Sequence, residues 1–250
     1  DGFLATDVQS TVWAAGADRV VGNARLGAAV FAADDRIEYQ AVDDRIRGDR
    51  RGLAVYARHD GDVWYSQGFV SWARFDSDAS RSIFFGEGNL SAQSSSQGSM
   101  RGVSLEVGRA LNDRFSLAVL ANADWVDIDA YQESGVSGLE LGFTGNSVSR
   151  YVLGPELRFN SGMKVGWQWN AVLGYRQVLN SVDTGMRAYY TGLPGEFFTV
   201  DGMPYADGFM HWAAGVGYRS SNAYWYLRAN GQHSDNTNSH TLSTGVRIGF

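Results

Sequence analysis

Cysteine is absent from this sequence. That excludes a disulfide framework, and it excludes thiolate chemistry at metal or redox centres. Lysine occurs once, at Lys164. A surface built for solubility mixes Lys with Glu, whereas a basic complement that is almost entirely arginine suits a confined polar interior, where the planar guanidinium binds carboxylates through two hydrogen bonds. Proline occurs 3 times. No apolar run approaches the ~18 residues of a membrane-spanning helix. Basic patches are missing too: the formal net charge is −6, which argues against a nucleic-acid partner. No charged and apolar leader opens the chain at Asp1, so the signal peptide of an exported protein is expected upstream.

Gly is plentiful at 31, beside 8 Trp, 12 Tyr and 13 Phe. Glycine with many aromatics fits closely packed strands that present rings. The end of the chain states the pattern most clearly. Leu242, Val246, Ile248 and Phe250 fall on one face of the stretch from His240 to Phe250, with Ser243, Gly245, Arg247 and Gly249 on the other. Strict alternation of this kind reads as a β-strand with one apolar side.

The same alternation recurs along the chain. Leu26, Ala28 and Val30 oppose Arg25, Gly27 and Ala29, and Leu53, Val55 and Ala57 oppose Ala54, Tyr56 and Arg58. Val103, Leu105 and Val107 oppose Ser104, Glu106 and Gly108. Leu117 to Trp125, Tyr151 to Phe159, Val165 to Tyr175, Met210 to Tyr218 and Trp225 to Ala229 behave alike. In the first segment Val8, Ser10, Val12 and Ala14 are expected outside, with Gln9, Thr11 and Trp13 inside. The facing of Val63 to Phe75 is not assignable. Asp60-Gly61-Asp62, Leu111 to Arg114 and Ser220 to Asn222 read as tight turns. Residues 34–49, 76–97, 127–146 and 179–205 read as long loops.

About eleven strands are readable, and short and long connections alternate. Each apolar face runs free of charge for about eight residues, near the height of the ~25 Å apolar band of an outer-membrane barrel. A charge at mid-depth on a lipid-facing surface costs ~2–4 kcal/mol, so charges confined to the opposite face are informative. The expected fold is an all-β, antiparallel transmembrane β-barrel forming a single domain over residues 1–250. Alternation turns Arg58, Glu106, Asp124, Arg150, Glu156, Arg158, Gln168, Asn170, Arg176, His211, Arg219, Arg228, Asn230 and Arg247 toward its lumen. They would line a polar channel or brace a water-filled interior; neither role is catalytic. His233 and Ser234 are adjacent and would point to opposite faces of a strand, which fails nucleophile–base geometry. The histidines show no metal-ligand spacing. No cofactor is expected.

The strand spacing, Gly-Ala-Asp-Arg at 16–19, Ser-Leu-Glu-Val-Gly at 104–108 and the closing Thr-Gly-Val-Arg-Ile-Gly-Phe at 244–250 resemble the autotransporter β-domain, the translocator unit of type V secretion. The resemblance implies a twelve-stranded barrel in the outer membrane of a Gram-negative cell, threaded by a linker helix and exporting an upstream passenger. It implies outer-membrane lipid, the barrel-assembly machinery, and the chain's own passenger and helix as partners. The terminal strand, with Leu242, Val246, Ile248 and Phe250, would be the assembly signal. With the chain ending in the periplasm, an odd count places an upward first strand, and the helix, before Asp1. Some relatives cleave their passenger with an Asn of the pore helix and lumen acids; Glu106 and Asp124 would be the acids to test here. The alternatives are a porin-like diffusion channel and an outer-membrane hydrolase.

Overall fold

The structure, a computed structural model, describes residues 6–39, 44–85, 88–136, 138–161, 165–202, 204–235 and 237–248. They form strands and turns alone. Eleven strands make one continuous antiparallel sheet in chain order: β1 (Thr6–Val21), β2 (Ala24–Tyr39), β3 (Arg45–Asp60), β4 (Trp64–Phe85), β5 (Gly88–Ala110), β6 (Phe115–Ile128), β9 (Asn146–Asn160), β10 (Gly166–Val178), β13 (Gly208–Arg219), β14 (Ala223–His233) and β15 (Asn238–Ile248). Four short strands, β7 (Tyr131–Ser134), β8 (Leu141–Phe143), β11 (Met186–Tyr190) and β12 (Phe197–Val200), pair into a small sheet attached to β5 through β7.

The large sheet is inside out relative to a water-soluble protein. Residues directly opposite on neighbouring strands share a face, so the registers sort every side chain. One face holds Leu26, Val55, Val70, Leu105, Val119, Leu153, Leu173, Leu227 and Leu242; Leu105 is 54% exposed and Leu242 is 72% exposed. The other face holds Ala54, Ala73, Ala118 and Ala213 together with Glu106 and Glu156, all buried. Exposed apolar side chains over buried carboxylates are stable only where the surrounding solvent is hydrocarbon. Aromatic rings mark both edges of the apolar band. Trp13, Trp72, Trp125 and Tyr151 stand at one edge and Trp64, Phe115, Trp167, Tyr218 and Trp225 at the other, with Trp167 and Tyr218 edge to face at 5.5 Å. Such rings belong at the two membrane–water interfaces.

Several connections differ from the sequence reading. Residues 34–39, 45–49, 76–85 and 88–97 continue β2 to β5 as paired strands rather than forming loops. Above the apolar band both faces meet water, so the hydrophobic alternation disappears while the backbone ladder persists. Residues 127–146 and 179–205 carry the small sheet. Its interior is Ala92, Val136, Leu141 and Ala188, and Arg81 clasps Glu133 through Nε (2.7 Å) and Nη2 (2.5 Å). The hydrogen bonds to Glu133 raise the pKa of Arg81 further, so this pair stays charged. At the opposite end the turns are short, as at Gly22-Asn23 and at Asn112, whose Oδ1 accepts from the amides of Arg114 and Phe115. Long extensions face the cell exterior and short turns the periplasm in such barrels.

The facing of β1 is the reverse of the expected one. Ser10 pairs with Asp35, Val12 with Ala33 and Ala14 with Phe31 on the inner face, which puts Val8, Ser10, Val12 and Ala14 inside and Trp13 outside. β1 has small or apolar residues on both faces, so alternation alone did not determine it; the inner carboxylate of Asp18 does. β4 hid its facing for a related reason: Tyr65, Phe69 and Phe75 point in and Trp64, Val70 and Trp72 point out, so both faces are aromatic.

Inward rings lie across glycines on the neighbouring strand. Tyr65 covers Gly108 and Tyr56 covers Gly27; a Cβ at either glycine would sit 2.3 Å from the tyrosine Cζ. Gly68, by contrast, faces outward with its nearest atom at 3.8 Å. Gly108→Ala is therefore expected to destabilise the barrel by about 1–3 kcal/mol and Gly68→Ala to be nearly neutral. The temperature at which the folded band of each variant converts to the unfolded band on a detergent gel measures the difference.

Candidate functional site: the polar inner wall

The inner face carries connected polar chains that cross strand after strand. The longest runs over five strands. Arg58 donates to Asp60 (2.8 Å) and Gln67 (3.3 Å), and Gln67 donates to Glu106 (2.7 Å). Arg158 donates to Glu106 and Glu156 (2.5 Å each), and Arg176 donates to Glu156. Glu106 and Glu156 are 1% and 2% exposed, so their charges depend on these guanidinium partners. A second pair, Arg150 with Asp124 at 2.8 Å, joins β6 to β9. A third chain links Ser10, Asp35, Arg50 and the sulfur of Met100.

The fourth group closes the circuit of the sheet. Asp18 on β1 accepts from Arg247 on β15, accepts from Tyr56 at 2.7 Å, and lies 3.9 Å from Arg25. Among the described residues no backbone ladder joins β1 to β15, and this ion pair spans the two edges of the sheet. The curl also brings distant strands around one cavity of about 710 Å³, lined by Arg58, Gln67, Arg158, Asn170, Arg228 and Ser243 among others.

All fourteen polar residues named from alternation lie on this inner face by register. Arg58, Glu106, Glu156, Arg158 and Arg176 are joined in one chain, while Asp124 and Arg150 form their own pair. Gln168, Asn170, His211, Arg219, Arg228, Asn230 and Arg247 occupy the far wall on β10 and β13 to β15. Arg219 stacks on Tyr224 at 5.0 Å and Arg247 reaches the seam. Sequence reasoning missed Asp18, Asp35, Arg50, Tyr65 and Gln67. Asp18, Tyr65 and Gln67 gave a weak signal because β1 and β4 lack a clean apolar face; Asp35 and Arg50 lie on β2 and β3, within or just beyond the stretch read as a loop. Leu242, Val246 and Ile248 lie on the outer face of β15; Phe250 is outside the described residues. His233 and Ser234 are engaged apart, His233 with Asn238 and Ser234 with Thr237. No cluster of potential metal ligands occurs among the described residues.

The buried ion chain generates a prediction. Arg176→Met leaves Glu156 with one cationic partner and is expected to cost about 3–5 kcal/mol, whereas Arg176→Met combined with Glu156→Gln removes both charges and recovers much of that loss. Denaturant unfolding of the folded protein in lipid vesicles measures both variants and the coupling between them.

Comparison with known proteins agrees with this geometry. The translocator domain of the autotransporter NalP from Neisseria meningitidis superposes with a TM-score of 0.82 at 18% identity, covering 100% of this chain and 83% of that one. The β-domain of the Bordetella autotransporter BrkA gives 0.67 at 17% identity, with 98% and 92% covered. The transport unit of AIDA-I from Escherichia coli gives 0.57 at 11% identity, with 98% and 84% covered. No curated protein matches by sequence. The sequence profile described as the autotransporter beta-domain matches residues 1–232. The chain, with its apolar outer wall and charge-paired interior, is therefore a member of the autotransporter β-domain family, a β-barrel of the Gram-negative outer membrane.

Proposed function

We propose that residues 1–250 act as one translocator domain, which enters the outer membrane through the barrel-assembly machinery and delivers a passenger encoded upstream to the cell surface. The observation that carries this reading is the inner wall. It is polar, rich in arginine and charge-paired, and it surrounds a cavity reached from strands as distant as β3 and β15. An extended peptide or a linker helix crossing a membrane needs such a wall, because its backbone and polar side chains find no partners in hydrocarbon. The outer face of β15, with Leu242, Val246 and Ile248, would present the assembly signal.

A diffusion channel is the second reading. The monoaromatic hydrocarbon channel CymD shares the fold at a TM-score of 0.60 and 10% identity. The chain of arginines and glutamates along the present wall is suited to polar or charged passengers rather than to hydrocarbons. Glu106 and Asp124, both on the inner face, are the acids to replace if the passenger proves to be cleaved.

Full-length precursor made in a Gram-negative host tests the proposal. Protease added to intact cells should remove the passenger. Leu105→Arg, which sets a charge at mid-depth in the apolar band, should cost ~2–4 kcal/mol and lower both assembled barrel and surface passenger. A wild-type barrel that assembles while its passenger stays in the periplasm overturns the translocator reading and leaves the barrel intact.

A further inference from the structure

The outer face of β2 to β5 changes character above the upper ring of aromatics. At the ring, Leu53, Trp72, Arg101 and Trp125 are consecutive cross-strand neighbours, and Arg101 is matched by Asp127. One step higher the row reads Trp13, Ala32, Arg51, Arg74, Ser99 and Asp127. Arg51 and Arg74 face each other directly, both exposed. Among the described residues neither has a carboxylate within ion-pair distance. The guanidinium of Arg74 is instead held over the Trp72 ring at 5.6 Å. Like charges directly opposite on paired strands repel, and although Asp34 on the next row draws on Arg51, an anion seated between the two guanidiniums would relieve that repulsion directly. The next row holds Asp34, Asp49 and Asp76, where the neighbouring Asp49 pushes the Asp34 carboxyl above the usual range and Arg51 pulls it the other way.

A second feature stands on the same wall. Residues Arg45, Arg47, Ser80, Gln93, Ser95 and Gln132 line a polar groove of about 660 Å³. Asp78, within the groove, accepts from Ser95 at 2.6 Å, and no ion pair links Arg45 or Arg47 to a carboxylate among the described residues. From Arg74 to Ser80 is six strand residues, which places the groove roughly 15 Å above the arginine pair for a tilted strand. The wall therefore offers two guanidiniums for an anion at the membrane surface and, above a row of aspartates, a groove of hydroxyls, amides and two more guanidiniums around Asp78.

We propose that this wall binds a phosphorylated glycolipid of the outer leaflet. A phosphate of the lipid lies between Arg51 and Arg74, its acyl chains lie along the apolar face below, and its sugars rise into the groove bounded by Arg45 and Arg47. Arginine suits the phosphate through its paired donors. A phospholipid headgroup is too short to reach the groove, and free phosphate has nothing to lie against the apolar face.

The test uses the full chain, purified folded in detergent, and titrates four probes: diphosphorylated lipid A, the same glycolipid without phosphates, lipid A that carries core sugars, and inorganic phosphate. Lipid A should bind at least tenfold more tightly than its dephosphorylated form, and millimolar inorganic phosphate should not displace it. Arg51→Gln with Arg74→Gln should abolish the preference. Arg74→Gln alone should reduce it severalfold, which keeps the test available if the double variant does not fold. Arg109→Gln, at the periplasmic end, should leave it unchanged. Arg45→Gln with Arg47→Gln should weaken binding of lipid that carries core sugars but not of lipid A itself. Equal binding by the double variant, equal binding of the dephosphorylated lipid, displacement by inorganic phosphate, or binding that chelation of divalent cations removes while the arginine changes do not, would each overturn the proposal.

Discussion

Hydrocarbon offers no hydrogen bonds. Each backbone amide and carbonyl that crosses the bilayer must be paired within the protein, and the rest of this structure follows from that. It requires strands to be laddered side by side, so eleven of them form one unbroken antiparallel sheet. It favours a curled sheet, which brings the edge strands β1 and β15 together at the Asp18–Arg247 pair rather than leaving them far apart in lipid. It also inverts the usual placement of side chains: Leu105 and Leu242 are exposed, while Glu106 and Glu156 are buried. Charges withdrawn from lipid meet one another inside, and their desolvation is offset through paired guanidiniums. Arginine serves there better than lysine because one guanidinium can bridge two carboxylates, as Arg158 does between Glu106 and Glu156.

The sequence was most informative where the two faces of a strand meet different solvents. Between the aromatic rings one face meets lipid and the other a polar lumen, so alternation is strong. The facings of β3, β5, β6, β9, β10, β13, β14 and β15 could be read residue by residue. Above the rings both faces meet water and the signal vanishes, which is why residues 34–39, 45–49, 76–85 and 88–97 looked like parts of loops although they are strands. β1 failed differently. Val8, Val12 and Ala14 sit on its inner face, where apolar side chains are tolerated, while Ala15, Ala17 and Val21 sit on the outer one.

The polar chains were legible only in part. Alternation gives the face of a residue but not its height, and height decides its partner. Glu106 could be turned inward from sequence, but its engagement with Gln67 and Arg158 depends on the stagger of β4, β5 and β9. The glycines under Tyr56 and Tyr65 likewise depend on register: each ring needs a partner without a Cβ directly opposite. Composition announced that glycines and rings would be abundant, and only the ladder shows which meets which.

The pair between Arg247 and Asp18 joins residues separated by 229 positions. Among the described residues the other hydrogen bonds and ion pairs within the large sheet join strands at most two places apart, and local pairings of that kind form quickly. The seam instead joins the two edge strands of the described sheet, and the entropy of bringing them together is spent only once the ladders between them have formed. Loss of either partner would leave the wall built and its edges unjoined, so the ion pair works as a latch on a sheet that is already made.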